Sequence, residues 1–80
     1  MTRAFVTIAV RGKMGRLCTG VTGMLAAWRG DGARLVWYEE CPSLPQAKRR
    51  AGDIRRWNRA CKIAIIEKAN PAWEDLSDGR

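Results

Sequence analysis

Histidine is absent from all 80 residues. That gap excludes a Ser-His-Asp triad, a Cys-His dyad, an H-E-x-x-H zinc site and any other imidazole-ligated metal centre. Cysteine is scarce and odd in number: Cys18, Cys41 and Cys61 stand far apart, with no C-x-x-C spacing. Neither a disulfide framework nor a thiolate zinc site is indicated. The three read as buried thiols in a reducing cytoplasm. No apolar run approaches the length of a membrane span. The apolar start meets Arg11 too early for a signal peptide. A cytoplasmic protein without membrane contact is the expectation. Glycines 12 and 15 belong to no G-K-[ST] phosphate loop and read as turn residues. Acids are thin through the middle of the chain, because Glu67, Glu74, Asp75 and Asp78 occupy the last 14 residues.

What the middle holds instead is positive charge. Residues Lys48 to Lys62 contain seven of the 15 lysines and arginines and one acid, Asp53. Apolar Ala47, Ala51 and Ile54 recur inside this stretch at spacings of four and three, the signature of a helix with one buried stripe and a basic outer surface. With a net charge of +7, such a concentrated face points to a polyanionic partner, most often nucleic acid. The competing use of the same charge is solubility.

Eighty residues make one domain, 1–80, with about 71–80 as a C-terminal tail. At this size roughly 60–65% of the unfolded chain's surface can be buried, and the 46% apolar content suffices without staples. Ala4 to Val10, rich in β-branched residues, predicts a first strand, and Arg11 to Gly15 a hairpin turn. Arg16 to Val21 returns as a second strand. Thr22 is placed to cap a short helix over 23–28, which Arg29-Gly30-Asp31-Gly32 breaks. Arg34 to Glu39 is a third strand. Ser43 and Gln46 form a capping box for the main helix, with Pro45 tolerated in its first turn. Gly52 inside that helix either permits close packing or has no role. Asn58 caps a second helix from Arg59 to about Ala69, with Ala60, Ile63, Ala64 and Ile66 inward. Asn70-Pro71 ends it, and Trp73 and Leu76 pack back. Trp37, Trp57 and Trp73 read as core residues in preference to base-stacking platforms; Trp28 is the exception, placed to close a cleft or stack on a ligand. The order β-β-α-β-α-α predicts an α/β domain on a three-stranded, mainly antiparallel sheet flanked by helices.

Several segments together resemble the GIY-YIG nuclease superfamily, in particular its small stand-alone bacterial members. Phe5-Val6-Thr7-Ile8 and Leu17-Cys18-Thr19-Gly20-Val21-Thr22 stand where that family carries its two tyrosine strands. Leu35 to Glu40 resembles its third strand. Ile54 to Glu67 and Asn70-Pro71-Ala72-Trp73-Glu74-Asp75-Leu76 look like its closing helices and tail. The resemblance implies metal-dependent phosphodiester cleavage by water: tyrosines near the water, an arginine on the phosphate, a glutamate holding one Mg²⁺. Carried over residue by residue, those roles fall on Thr7, Cys18, Trp28 and Ala51, and none of these can perform them. Arg29, Asp53 and Asn70 are the neighbours available as substitutes, but Asp53 lies two residues from Ala51 and so on a different helix face. Cys18 has no histidine to activate it.

The expectation is a nucleic-acid-binding domain of this superfamily, DNA before RNA, with phosphodiester hydrolysis lost or strongly reduced. Lys48, Arg49, Arg55, Arg56, Arg59 and Lys62 are the candidate contacts. No metal ligands are assigned and no cofactor is expected. The alternatives are an endonuclease with a rearranged site, which would require Mg²⁺, and a protein-interaction module on the same fold.

Overall fold

The computed structural model describes residues 3–12, 15–25, 28, 30 and 32–77. Within them run β1 (Ala4–Arg11), β2 (Arg16–Thr22), β3 (Arg34–Cys41), α1 (Leu44–Arg56) and α2 (Arg59–Ala69). The architecture is a small α/β domain on one three-stranded antiparallel sheet in the order β2-β1-β3. β3 reaches two residues beyond the expected Glu39, because Phe5 and Ala4 continue the ladder against Glu40 and Cys41. Of the short helix expected over 23–28, residues 26 and 27 lie outside the described residues.

β1 is the central strand, and Ala4, Val6, Thr7, Ile8, Ala9 and Val10 on it are all buried. A strand covered on both faces needs such a near-continuous apolar run. Side chains alternate between the faces of a sheet. Ala4, Val6, Ile8 and Val10 therefore share one face, and they form a single cluster with Ala47, Ala51 and Ile54 of α1 and Ile66 of α2. Phe5, Thr7 and Ala9 take the other face, opposite Thr22, Gly20 and Cys18 of β2. There Tyr38 packs edge-on to Phe5, ring centroids 6.2 Å apart at 77°. Ile54 and Ile66 are fully enclosed, each stabilising the fold by about 1.5–3 kcal/mol through burial.

The pairing of β1 with β3 slips between Ile8 and Ala9: Ile8 faces Trp37 while Ala9 faces Leu35. Val36 is thus the extra residue of a β-bulge, with its carbonyl lost to the ladder. Asn70, just past α2, takes that carbonyl through Nδ2 at 3.0 Å. The same side chain donates to the Glu74 carbonyl at 2.9 Å and accepts from the Glu74 amide at 3.0 Å. The tail is held against β3 in this way, and the Leu76 amide then donates to the Leu35 carbonyl at 2.6 Å.

Both helices start as their caps require. Ser43 Oγ accepts from the Gln46 amide at 3.4 Å and Asn58 Oδ1 from the Cys61 amide at 2.8 Å. The inward face expected of α2 needs correction. Ile66 alone is buried, Ile63 and Ile65 are half-buried, and Ala60 and Ala64 are exposed. Arg59, Lys62, Glu67 and Lys68 are spread around the helix among its apolar residues, so its composition carries no phase. Contact with the rest of the fold sets the phase, and Ala60 and Ala64 rotate away from it. Gly52 has no side chain or foreign backbone within 4 Å of where a Cβ would stand, so close packing is not its role.

Candidate nucleic-acid interface

α1 presents its apolar stripe to the sheet, which forces the remaining positions outward. Lys48, Arg49, Arg55 and Arg56 are exposed on it, Arg59 is exposed at the start of α2, and Lys62 is half-buried one turn later. Arg50 belongs elsewhere: it pairs with Glu39 of β3 at 2.9 Å and its guanidinium lies 5.3 Å from the Trp57 ring centroid. Arg56 approaches Asp53 only to 3.9 Å, with both side chains more than half exposed. A pair so open to water contributes little and leaves the guanidinium available.

Two of the six candidates reach the edge strand β2 or the turn that leads into it. Arg55 Nη2 donates to the Thr19 carbonyl at 3.0 Å and Arg59 Nη2 to the Gly15 carbonyl at 2.9 Å. These bonds span 36 and 44 residues of sequence, so no local pattern announces them. They fix two positive charges along the β2 side of α1 and use one donor of each five-donor guanidinium. The resulting surface runs from Lys48 and Arg49 through Arg55 and Arg56 to Arg59. It can take phosphate groups at several points, and Asp53 lies on the same helix beside Arg56.

The positions assigned from the nuclease resemblance do not converge. Thr7 and Cys18 stand on the sheet face away from α1, by the alternation of β1 and β2. Ala51 lies under α1 in the core, fully enclosed on the opposite face. Asp53 is exposed on the outside of α1. Trp28 is half-buried, and Arg29 lies outside the described residues. Asn70 is buried and fully engaged in holding the tail. Among the described residues no three acidic or thiol side chains gather as a metal site would need. A methyl group in the core at Ala51, with the one nearby acid facing solvent, does not fit a hard cation that demands oxygen ligands.

The cysteines were expected to be buried as a set, and they are not. Cys41 is buried, Cys18 half-buried and Cys61 exposed. Burial pushes the Cys41 thiol up from its ordinary value, Glu39 adds to the rise and Arg50 partly opposes it. Trp37 is buried, and Trp57 and Trp73 pack against the core as expected. An open groove of about 460 Å³ lies at the β3 edge, lined by Trp37, Tyr38, Ala69 and Leu76. It sits across the sheet from β2 and the arginines bound there. No described helix is long and apolar enough to cross a membrane.

No family model, curated protein or solved structure matches the chain.

Proposed function

We propose that this chain is a nucleic-acid-binding domain of GIY-YIG type that no longer hydrolyses phosphodiesters. The observation that carries the reading is the exposed run Lys48, Arg49, Arg55, Arg56 and Arg59 on one side of the molecule, in a protein of net charge +7. Lys62, half-buried, flanks that run. Two of the guanidiniums are held beside the other exposed cations by backbone carbonyls at the sheet edge. The contacts fall on phosphates, which fix orientation and carry no sequence information. DNA is the favoured ligand.

Loss of hydrolysis follows from the scattered inherited positions. A reacting phosphodiester needs the water-activating and metal-holding groups around one point. Here the corresponding residues are Thr7 and Cys18 on one sheet face and Ala51 on the other. None offers a carboxylate, and no step through a metal is derived.

Titration of a labelled duplex at several salt concentrations tests the binding. If about four of the basic residues engage, log K falls against log salt with a slope near −3.6, since each neutralised phosphate contributes about −0.9. Arg55→Ala with Arg56→Ala flattens the slope by up to about two units. Absence of binding at low salt, or indifference to the double substitution, moves the function to a protein partner.

A further inference from the structure

The two edges of the sheet are closed by different means. At β3, the tail does it: the Leu35 amide donates to Asp75 Oδ1 at 3.3 Å and the Leu76 amide to the Leu35 carbonyl at 2.6 Å. At β2, two side chains from the helices do it, Arg55 on the Thr19 carbonyl and Arg59 on the Gly15 carbonyl. Alternate residues of an edge strand turn their N–H and C=O away from the sheet. Thr19 is in that phase, and so are Leu17 and Val21; Gly15, in the turn before the strand, has its amide on the Gly12 carbonyl and turns its own carbonyl to Arg59. From Leu17 to Thr22 the strand carries no charge and no proline. An uncharged edge of this kind is a template for another chain unless something covers it.

We propose that the β2 edge is a docking edge for a second copy of this chain, held closed by Arg55 and Arg59 and opened when a polyanion takes the two guanidiniums. The opening rests on the nucleic-acid reading above; the closure does not. A guanidinium bonds a phosphate more strongly than a neutral carbonyl, and in bidentate geometry. Once it does, the Thr19 carbonyl needs another donor.

A second copy meets the requirement because β2 is self-complementary. Thr19 is the central residue of Arg16–Thr22. Two strands paired antiparallel about Thr19 set Leu17 against Val21 of the second copy, so the outward groups at 17, 19 and 21 all find partners. Arg16 falls opposite Thr22, and no like charges oppose each other. The arrangement is two-fold and closes at a dimer. What opposes it is the +7 charge of each copy, and a bound polyanion neutralises that charge on the same helices that held the edge closed.

Sedimentation of three variants tests the closure without nucleic acid. Arg55→Ala with Arg59→Ala removes the clasp, and the mass is expected to double at high protein concentration. Arg49→Ala with Arg56→Ala removes equal charge away from the edge and is expected to remain monomeric. Thr22→Arg added to the first pair opposes Arg16 across the pairing and is expected to restore the monomer. A monomeric clasp variant, a dimeric Arg49/Arg56 variant or a dimer indifferent to Thr22→Arg each overturns the proposal. A short DNA duplex added to the unsubstituted protein tests the opening: two copies per duplex that fall to one with Thr22→Arg support it, and one copy bound throughout overturns it. Failure of the duplex to bind overturns the nucleic-acid reading and the opening with it, while the result for the clasp variants stands.

Discussion

Asn70→Ala cuts the attachment of the tail to the sheet. Asn70 is 6% exposed, and its side chain makes three hydrogen bonds, at 3.0, 2.9 and 3.0 Å. Each is worth about 0.5–1.5 kcal/mol net, and the Val36 carbonyl of the bulge is left buried without a donor, which costs about 1–3 kcal/mol. These figures overlap, so the expected loss is about 2–4 kcal/mol. In a domain of this size that lowers the melting temperature by roughly 10–25 °C. Asn70→Asp separates hydrogen bonding from packing. The carboxylate keeps the shape and can still accept from Glu74, but it turns an oxygen toward the Val36 and Glu74 carbonyls where Nδ2 donated. Those carbonyls disfavour the charged form, so the folded-state pKa of the introduced carboxyl is raised above its unfolded value. The aspartate variant therefore gains stability relative to the parent as pH falls, when the protonated acid regains one donor, and loses it as pH rises through the folded pKa. Urea melts at several pH values read both effects. A loss below about 0.5 kcal/mol in Asn70→Ala, or a pH-independent difference between Asn70→Asp and the parent, refutes the assignment of Asn70 as the anchor. Duplex binding by folded Asn70→Ala is expected to be unchanged, since Asn70 lies at β3 and the basic residues lie on α1 and the first turn of α2.

Other outcomes are as concrete. Gly52→Ala stabilises α1 by about 1 kcal/mol, because its Cβ meets open space; thermal melts that show a loss would mean that the space is filled. Supercoiled plasmid incubated with the protein and Mg²⁺ or Mn²⁺ is expected to stay intact, and nicking abolished by chelator and by Asp53→Ala would show a rearranged site. Iodoacetamide is expected to label Cys61 first and Cys41 last, the latter only as the chain opens; mass spectrometry of peptides from a time course decides the order.

The sheet and both long helices were legible because local chemistry and tertiary role agree there. β1 is a near-continuous run of apolar strand formers, the Ala47-Ala51-Ile54 stripe has one helical phase, and Ser43 and Asn58 cap where their side chains can reach the third amide onward. α2 was legible as a helix but not as a surface, because Ala60, Ile63, Ala64 and Ile66 offer no polar face from which to read its rotation. The basic residues could be named from the sequence, but their division could not. Arg50 turns to Glu39 and Trp57, and Arg55 and Arg59 turn to carbonyls more than thirty residues away. Asn70 was legible as a helix stop, but its role at a bulge in a distant strand was not, since the bulge itself has no mark in Leu35-Val36-Trp37.

The separation of Thr7 and Cys18 from Ala51 bears on how the positions of the nuclease resemblance relate to the basic surface. A carboxylate at position 51 would sit where Ala51 is fully enclosed, and an isolated buried charge costs several kcal/mol. Alanine there strengthens the α1–sheet contact that holds the whole basic helix in place. On the outer side of the same helix Lys48, Arg49, Arg55 and Arg56 remain exposed, untouched by what the core position becomes. Of α1, the proposed binding thus draws on the outer side alone. Ala51→Glu is therefore expected to destabilise the domain while leaving that outer surface unchanged.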